Sequence, residues 1–374
     1  MSILLLGPRQ VGKSTLLKSL FSETALFIDL LNPEIYRDLQ KNPNLLNDYV
    51  SATDKKIIVI DEIQKIPELM NVVHFLIEKY KSIRFILTGS SARKLKKKTS
   101  NLLGGRAFPS FLHPLTSDEY LKKENSKIDD LIQFGGLPSI VLASNPLKKL
   151  KAYTSLYLQE EIKAEGYVRN LSDFSRFLDV AGLTNSEQLD FESVASDVQI
   201  SSRTVAAYYQ ILEDTLIGYL LESFKKTKTR KAVIKPKFYF FDVGVANYLS
   251  GRDTLSVGTP EYGKAVEHFI FTELKAYQDY TEKDFKLFYW RSSSKFEIDF
   301  LIETKNKELI AIEVKAKKKI NEKDFKGIKA FEDDFKLSKK IVVSLETMKR
   351  KTADDFIIYP LAEFCKQLWD GKII

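Results

Sequence analysis

The sequence predicts an α/β protein that opens with a doubly wound parallel sheet and continues into a helix-turn-helix, a hairpin and a mixed α/β segment. Three observations predict it. A short apolar run at 3–6 passes directly into Gly7-Pro8-Arg9-Gln10-Val11-Gly12-Lys13-Ser14. Further apolar runs at 25–30, 56–60, 83–87 and 108–115 alternate with helical patterns, including 33–49 and 67–80, over the first 145 residues, as strand–helix units do. Near the C-terminus, two strand-like runs at 296–302 and 309–315 carry acids behind an acid-bearing helical pattern at 261–278.

The loop at 7–14 fits G-x-x-x-x-G-K-S at every fixed position. Gly7 and Gly12 let the backbone curl, and Pro8, Arg9, Gln10 and Val11 complete a cradle for a polyphosphate. Lys13 then reaches the β- and γ-phosphates, and the Ser14 hydroxyl takes a place on Mg²⁺. Thr15 starts a helix whose positive end faces the same anion. The run at 56–60 ends in Asp61-Glu62. Asp61 is placed to hold Mg²⁺ and Glu62 to orient or deprotonate the attacking water. An Asp-Glu pair also opens helices as a cap, but the loop at 7–14 favours the catalytic reading. Thr88, at the end of the run 83–87, either senses the γ-phosphate or caps the next helix. Arg106 follows Gly104-Gly105; it reaches a phosphate in cis, or in trans within a homo-oligomer, or lies on the surface.

Composition sets bounds on the rest. The 374 residues are 44% hydrophobic and 29% charged, which suits a globular chain of two or three domains. The net charge of +8 and pI near 9.1 suit a polyanionic partner or a solvated lysine surface. A single cysteine, Cys365, excludes an internal disulfide and a multi-cysteine zinc site and fits a reducing, cytoplasmic setting. No apolar run approaches the roughly 18 residues of a membrane span, so no membrane partner is expected.

The stretch 146–162 reads as a long helix leaving the first segment. Residues 191–198 and 202–212 then form two short helices, with Ser201-Ser202 capping the second, a helix-turn-helix pattern. The second helix is expected to expose Ser202, Arg203, Thr204 and Tyr208 and to bury Val205, Ile211 and Leu212, as a groove-reading helix does. Strands at 216–224 and 237–241 flank the basic run 225–231, giving the form of a wing. Its lysines contact DNA phosphates, or are solvated on a protein-binding surface.

In the C-terminal pair, a turn centred near Asn306 sets 299 opposite 313 and 297 opposite 315. Alternation then gathers Glu297, Asp299, Glu313 and Lys315 on one face. Carboxylates directly opposite repel, and Mg²⁺ or Mn²⁺ between Asp299 and Glu313 relieves the repulsion. Lys315 would hold the attacking water or offset phosphate charge. Glu267 shares a helical stripe with Ile270, Phe271 and Leu274; it is a further metal ligand, or an edge residue reaching solvent. Lys317, Lys318 and Lys319 hold a nucleic-acid backbone or are surface.

Taken in order, GPRQVGKST, IDEIQ, LTGSSA, GGR and FGGLP at 134–138 resemble a prokaryotic group of AAA-superfamily ATPases along the entire chain. The resemblance implies ATP as the nucleotide and a winged helix in the middle, followed by a segment like FYFFDVGVANYL at 238–249. The chain starts two residues before its first strand, where such ATPases carry a helix, and this departure is expected to weaken adenine selectivity. The order Glu267, Asp299, Glu313-x-Lys315 resembles the PD-(D/E)xK nuclease superfamily, with Ile298 where a proline is usual, and implies a restriction-endonuclease-like fold. The expected domains are an ATPase at 1–145, a helical linker and winged helix at 146–250 and the nuclease-like domain at 251–374. The expected function is ATP hydrolysis by a DNA-associated protein with a metal-dependent nuclease-like domain. The alternative is an ATP-driven switch or signalling ATPase whose nuclease-like domain only binds DNA or protein.

Overall fold

A computed structural model describes residues 2–90, 105–158, 170–226, 233–281 and 283–374. The chain divides into two compact units. The first comprises Met1–His113 with Leu212–Ile217, and the second Pro114–Ile211 with Gly218–Ile374.

The first unit is built on β1 (Ser2–Leu6), α1 (Lys13–Phe21), β2 (Ala25–Asp29), α2 (Pro33–Lys41), α3 (Leu45–Ser51), β3 (Ile57–Asp61), α4 (Leu69–Lys79), β4 (Arg84–Gly89) and β5 (Ala107–Phe111). Its five strands are all parallel, in the order β2-β3-β4-β1-β5. Leu4, Leu6, Ile58, Ile60, Phe85 and Leu87 pack on one side with Leu39, Leu46, Val73 and Leu76 of α2, α3 and α4. Leu5, Val59 and Ile86 pack on the other with Leu17 of α1. Alternate residues of a strand face opposite sides, so this is the doubly wound sheet expected from the apolar runs. One expected helix is two: the pattern over 33–49 breaks at Asn42, where φ is −141°. Pro43 follows, and a proline disfavours helical backbone in the residue before it. The lysine-rich stretch 93–98 and Gly104 lie outside the described residues.

The second unit begins with short helical turns, then α5 (Ile128–Phe134), α6 (Pro146–Ala152), α7 (Leu171–Leu183), α8 (Phe191–Val198) and α9 (Ser202–Asp214). The long helix expected at 146–162 is α6, followed by a π-helical turn at Tyr153–Leu158; its last four residues lie outside the described set. The two helices expected at 191–198 and 202–212 are α8 and α9. Tyr208 is a correction: it is only 6% exposed, with ring centroids 4.9 Å from Phe174 and 5.2 Å from Phe177 of α7. An aromatic ring buries far more area than it offers a groove edge, and here the neighbouring helix takes it. Ser202 and Arg203 are exposed, and Val205 is buried.

β6 (Gly218–Leu221) and β7 (Lys237–Phe240) pair antiparallel as the hairpin. Of its basic run, Lys225 and Lys226 are described and 227–231 are not. α10 (Val243–Leu249) follows at once, and its start explains two of the sequence motifs. Gly135 ends α5 with φ 76°, and a Cβ there would lie 2.0 Å from Asp242 Oδ1. Asp242 caps α10 by accepting from Val245 N at 3.0 Å, and it also accepts from Gly136 N at 2.8 Å. FGGLP and FDVG are thus two halves of one backbone lock around a buried carboxylate. Burial pushes that carboxyl up to about 6, against the N–H groups of Val245, Gly136, Gly244 and Leu137.

The remainder is α11 (Pro260–Tyr280), β8 (Phe285–Arg291), β9 (Glu297–Thr304), β10 (Leu309–Lys315), α12 (Lys326–Glu332), β11 (Lys339–Ser344), β12 (Arg350–Lys351), β13 (Phe356–Pro360) and α13 (Leu361–Trp369). The sheet runs β12-β13-β11-β10-β9-β8, with parallel β10–β11 and β11–β13 pairs and antiparallel pairs elsewhere. Phe269, Ile270 and Leu274 of α11 pack on Phe300, Ile302, Ile310 and Ile312, while Ile328 and Phe331 of α12 pack on Leu301, Ala311 and Val342.

Candidate functional site

The glycine-rich loop joins the end of β1 to α1. Gly7 N donates to Gly89 O at 3.2 Å, and a Cβ on Gly7 would sit 2.4 Å from Leu112 O. Gln10 and Gly12 have φ of 66° and 99°, and these two left-handed residues turn the chain back on itself. Gly12 is the N-cap of α1 without a side-chain cap, which leaves the first-turn N–H groups to an anion. Pro8 and Val11 are buried, Arg9, Gln10 and Ser14 half-buried and Thr15 exposed. Lys13 is 4% exposed, and its Nζ donates to Gly7 O at 2.8 Å and Pro8 O at 2.9 Å. The lysine therefore holds the loop's own carbonyls.

Strand order places the acids. β4 lies between β1 and β3, so Thr88 at its end stands between the loop and Asp61. The Thr88 hydroxyl donates to Asp61 Oδ1 and accepts from Glu62 N at 3.0 Å. It positions both acids. Glu62 has φ 61°, a strained conformation for a non-glycine residue, and its carboxylate accepts from Gln64 Nε2. Gln64 also donates to Ser90 Oγ at 3.1 Å. Sequence reasoning missed Gln64, although the IDEIQ run contained it. The Ser14 hydroxyl and Asp61 carboxylate are the oxygen donors that Mg²⁺ takes alongside phosphates and water.

Arg106 corrects the cis expectation. It immediately precedes β5, whose first residue pairs with Ser2 at the start of β1. The loop leaves the other end of β1, a strand length of about 16 Å away. The guanidinium instead pairs with Glu78 on α4; Lys81 and Arg106 hold that carboxyl down at about 2.

The second candidate is an open cleft of about 360 Å³, lined in part by Thr259, Gly263, Glu267, Asp299, Lys315 and Lys317. Pairs Leu309↔Glu303 to Ile312↔Phe300 centre the turn at 306, and the next step sets 313 opposite 299. Strict alternation fails beside it. Phe288 pairs with Leu301 but Trp290 with Ile298, so Tyr289 alone faces Asp299 and Phe300. This bulge re-aims Asp299, and Ile298 and Leu301 fall in one apolar cluster. Glu297 and Asp299, on either side of Ile298, keep to the opposite face as alternation expects, and Glu297 Oε1 meets the same Lys237 Nζ as Glu267.

Asp299 Oδ2 accepts from Val314 N at 2.8 Å. Glu313 Oε1 meets Lys315 Nζ, and Glu313 Oε2 is buried without a partner. Burial, and then the Asp299 charge, push the Glu313 carboxyl up to about 8. Burial and Glu267 raise Asp299.

Glu267 has protein partners in the structure. Its Oε1 accepts from Lys237 Nζ at 3.0 Å and Tyr239 OH at 2.6 Å. Among the described residues no three His, Cys, Asp or Glu are grouped to hold a metal ion. Lys237 pairs with Glu267 and Lys315 with Glu313. Sequence reasoning missed Lys237 and Tyr239, whose i, i+2 spacing on β7 was the available signal. Lys318 and Lys319 are exposed, and Lys317 pairs with Asp324.

Three family profiles match the chain in succession. An AAA domain profile matches residues 1–121. Two profiles described as domains of unknown function, DUF8612 and DUF4143, match 125–256 and 262–364. The chain is 25% identical to an uncharacterized protein, MJ1544, of Methanocaldococcus jannaschii over 93% of this chain and 83% of that one. It is 27% identical to the uncharacterized protein Rv2008c of Mycobacterium tuberculosis over 80% of this chain and 67% of that one. A structure of the replication initiator DnaA bound to AMPPCP and single-stranded DNA aligns at TM-score 0.29 and 14% identity, over 57% of this chain and 82% of that one; a likeness so slight bears no argument. The N-terminal segment is similar to AAA domains and carries their P-loop. No helix among the described residues is long and apolar enough to cross a membrane.

Proposed function

We propose that the protein hydrolyses ATP with Mg²⁺ at the loop 7–14 and uses this turnover to control a DNA-associated C-terminal domain related to the PD-(D/E)xK nucleases. The observation that carries the first part is the chain Lys13, Asp61, Thr88 and Glu62 assembled across three adjacent strands. On binding, Lys13 leaves the Gly7 and Pro8 carbonyls for phosphate oxygens, and the loop N–H groups take the rest. Ser14 and Asp61 would hold Mg²⁺, which would neutralise phosphate charge. Glu62, oriented through Thr88 and Gln64, aligns the attacking water. Arg106, at the opposite end of the strands from the loop, acts in trans within a homo-oligomer.

For the C-terminal part, α8, α9 and the β6–β7 hairpin are read as a winged helix resting on DNA phosphates through Arg203 and the basic run at 225–231. The cleft at Asp299, Glu313 and Lys315 either cuts the backbone or holds it. The engagement of Glu267 by Lys237 favours holding. Glu62→Gln should bind ATP as tightly as wild type and hydrolyse it at least about a hundredfold more slowly. DNA affinity should fall steeply with salt. Absence of binding at low salt would leave a signalling ATPase, and DNA cutting in Mg²⁺ or Mn²⁺ that Asp299→Ala abolishes would establish the nuclease.

A further inference from the structure

The carboxylates of the C-terminal cleft already have a cation among them, and it comes from outside the strands that carry the Asp-x(13)-Glu-x-Lys pattern. Lys237, on β7 of the hairpin, is 4% exposed. Its Nζ lies 3.0 Å from Glu267 Oε1 and 2.6 Å from Glu297 Oε1, and 5.4 Å from the centroid of the Tyr289 ring. Tyr289 is the residue facing the Asp299 bulge. Tyr239, two residues on, gives Glu267 a second donor. Lys315 occupies Glu313, and the Val314 N–H occupies Asp299. A buried carboxylate needs a counter-charge or hydrogen bonds, and this cluster draws its counter-charges from lysines.

We propose that Lys237 is the built-in counter-ion of this cleft, seated between Glu267 and Glu297 where it neutralises the acids a divalent metal would need, and that the cleft binds no divalent cation while Lys237 is seated. The inference rests on reading the cleft as the second functional site. It goes beyond that reading by making the hairpin, rather than a metal, the source of its positive charge. A dication approaching Asp299 meets the like charges of Lys237 and Lys315, and part of the negative charge of Glu267 is already met at Oε1 by Lys237 and Tyr239. Lys237 is a positioning residue: it sets Glu267 and Glu297.

The test is Mn²⁺ binding followed by loss of the free-ion EPR signal, on the nucleotide-free full chain, with Asp299→Asn subtracted to remove binding elsewhere. Wild type should have no Asp299-dependent site up to about 1 mM, the weak end of carboxylate cation sites. Lys237→Met should create one at least about tenfold tighter, because a positive charge within a few ångströms of the ion is gone. Lys237→Gln, which keeps a donor for Glu267, replaces it if the Met variant does not fold. An Asp299-dependent Mn²⁺ site in wild type overturns the inference and leaves the metal-nuclease reading standing. A folded Lys237 variant that still binds no Mn²⁺ overturns the inference and leaves the holding reading of the cleft standing.

Discussion

His268 follows Glu267 on α11 and fixes the arrangement that brings Lys237 and Tyr239 to that carboxylate. It is fully buried. One ring nitrogen lies 2.7 Å from Phe240 O on β7 and the other 3.1 Å from Asn185 Nδ2, the pattern of a neutral imidazole that donates at Nε2 and accepts at Nδ1. Burial pushes its pKa from 6.5 down to about 4, the Phe240 carbonyl opposing only in part. The folded state therefore holds fewer protons at this site than the unfolded state between pH 6.5 and 4. Stability is intact above 6.5 and falls as the pH drops through that window. The shift of 2.5 pH units amounts to about 3 kcal/mol, with no discount for screening at a fully buried ring. His268→Gln retains a donor and an acceptor but has nothing to protonate. Urea unfolding of both proteins from pH 7.5 to 4 should give a stability difference that swings by about 3 kcal/mol toward the variant as the pH falls. Buried Asp242 and Glu273, whose carboxyls are raised, act in the opposite sense but cancel in the difference. A difference that stays constant across the range would refute the neutral, buried imidazole.

Asp242→Ala should cost about 3 to 5 kcal/mol in denaturant unfolding, since it orphans the buried N–H groups of Gly136 and Val245 and removes the cap of α10; a loss under about 1 kcal/mol would contradict the lock between FGGLP and FDVG. Thr88→Val should leave ATP affinity nearly unchanged while lowering turnover about 10- to 100-fold, because Asp61 and Glu62 lose their shared anchor; unchanged turnover would mean that the hydroxyl positions nothing. Arg106→Ala should not weaken ATP binding by the isolated chain, and a tenfold loss would contradict its place at the opposite end of the strands from the loop.

Much of the ATPase domain was legible because its central strands β3 and β4 are buried on both faces and carry continuous apolar runs, and because the loop's glycines are dictated by backbone conformation. Helix ends were less legible, as at Asn42, where one proline outweighed a continuing apolar pattern. In the C-terminal unit, the register of β9 on β10 followed from the turn at 306. The bulge at Asp299 did not, because it depends on how β8 meets β9 from the other side. Lys237 escaped for a related reason. Its role is set by Glu267 and Glu297, 30 and 60 positions away, and nothing local distinguishes a buried lysine from a solvated one in a chain with 58 lysines and arginines. Tyr208 misled in the opposite direction: a polar-tipped aromatic on a helix suits a groove equally well until Phe174 and Phe177 are found against it.

The most direct test of the account is steady-state ATP turnover by the full chain in Mg²⁺, wild type beside Lys13→Ala. Lys13 is the one side chain buried in the loop that must exchange two backbone carbonyls for phosphate oxygens. Wild type should hydrolyse ATP, and Lys13→Ala should lose at least about a hundredfold in rate. Equal turnover by the two proteins, or wild type that binds no nucleotide, would contradict it.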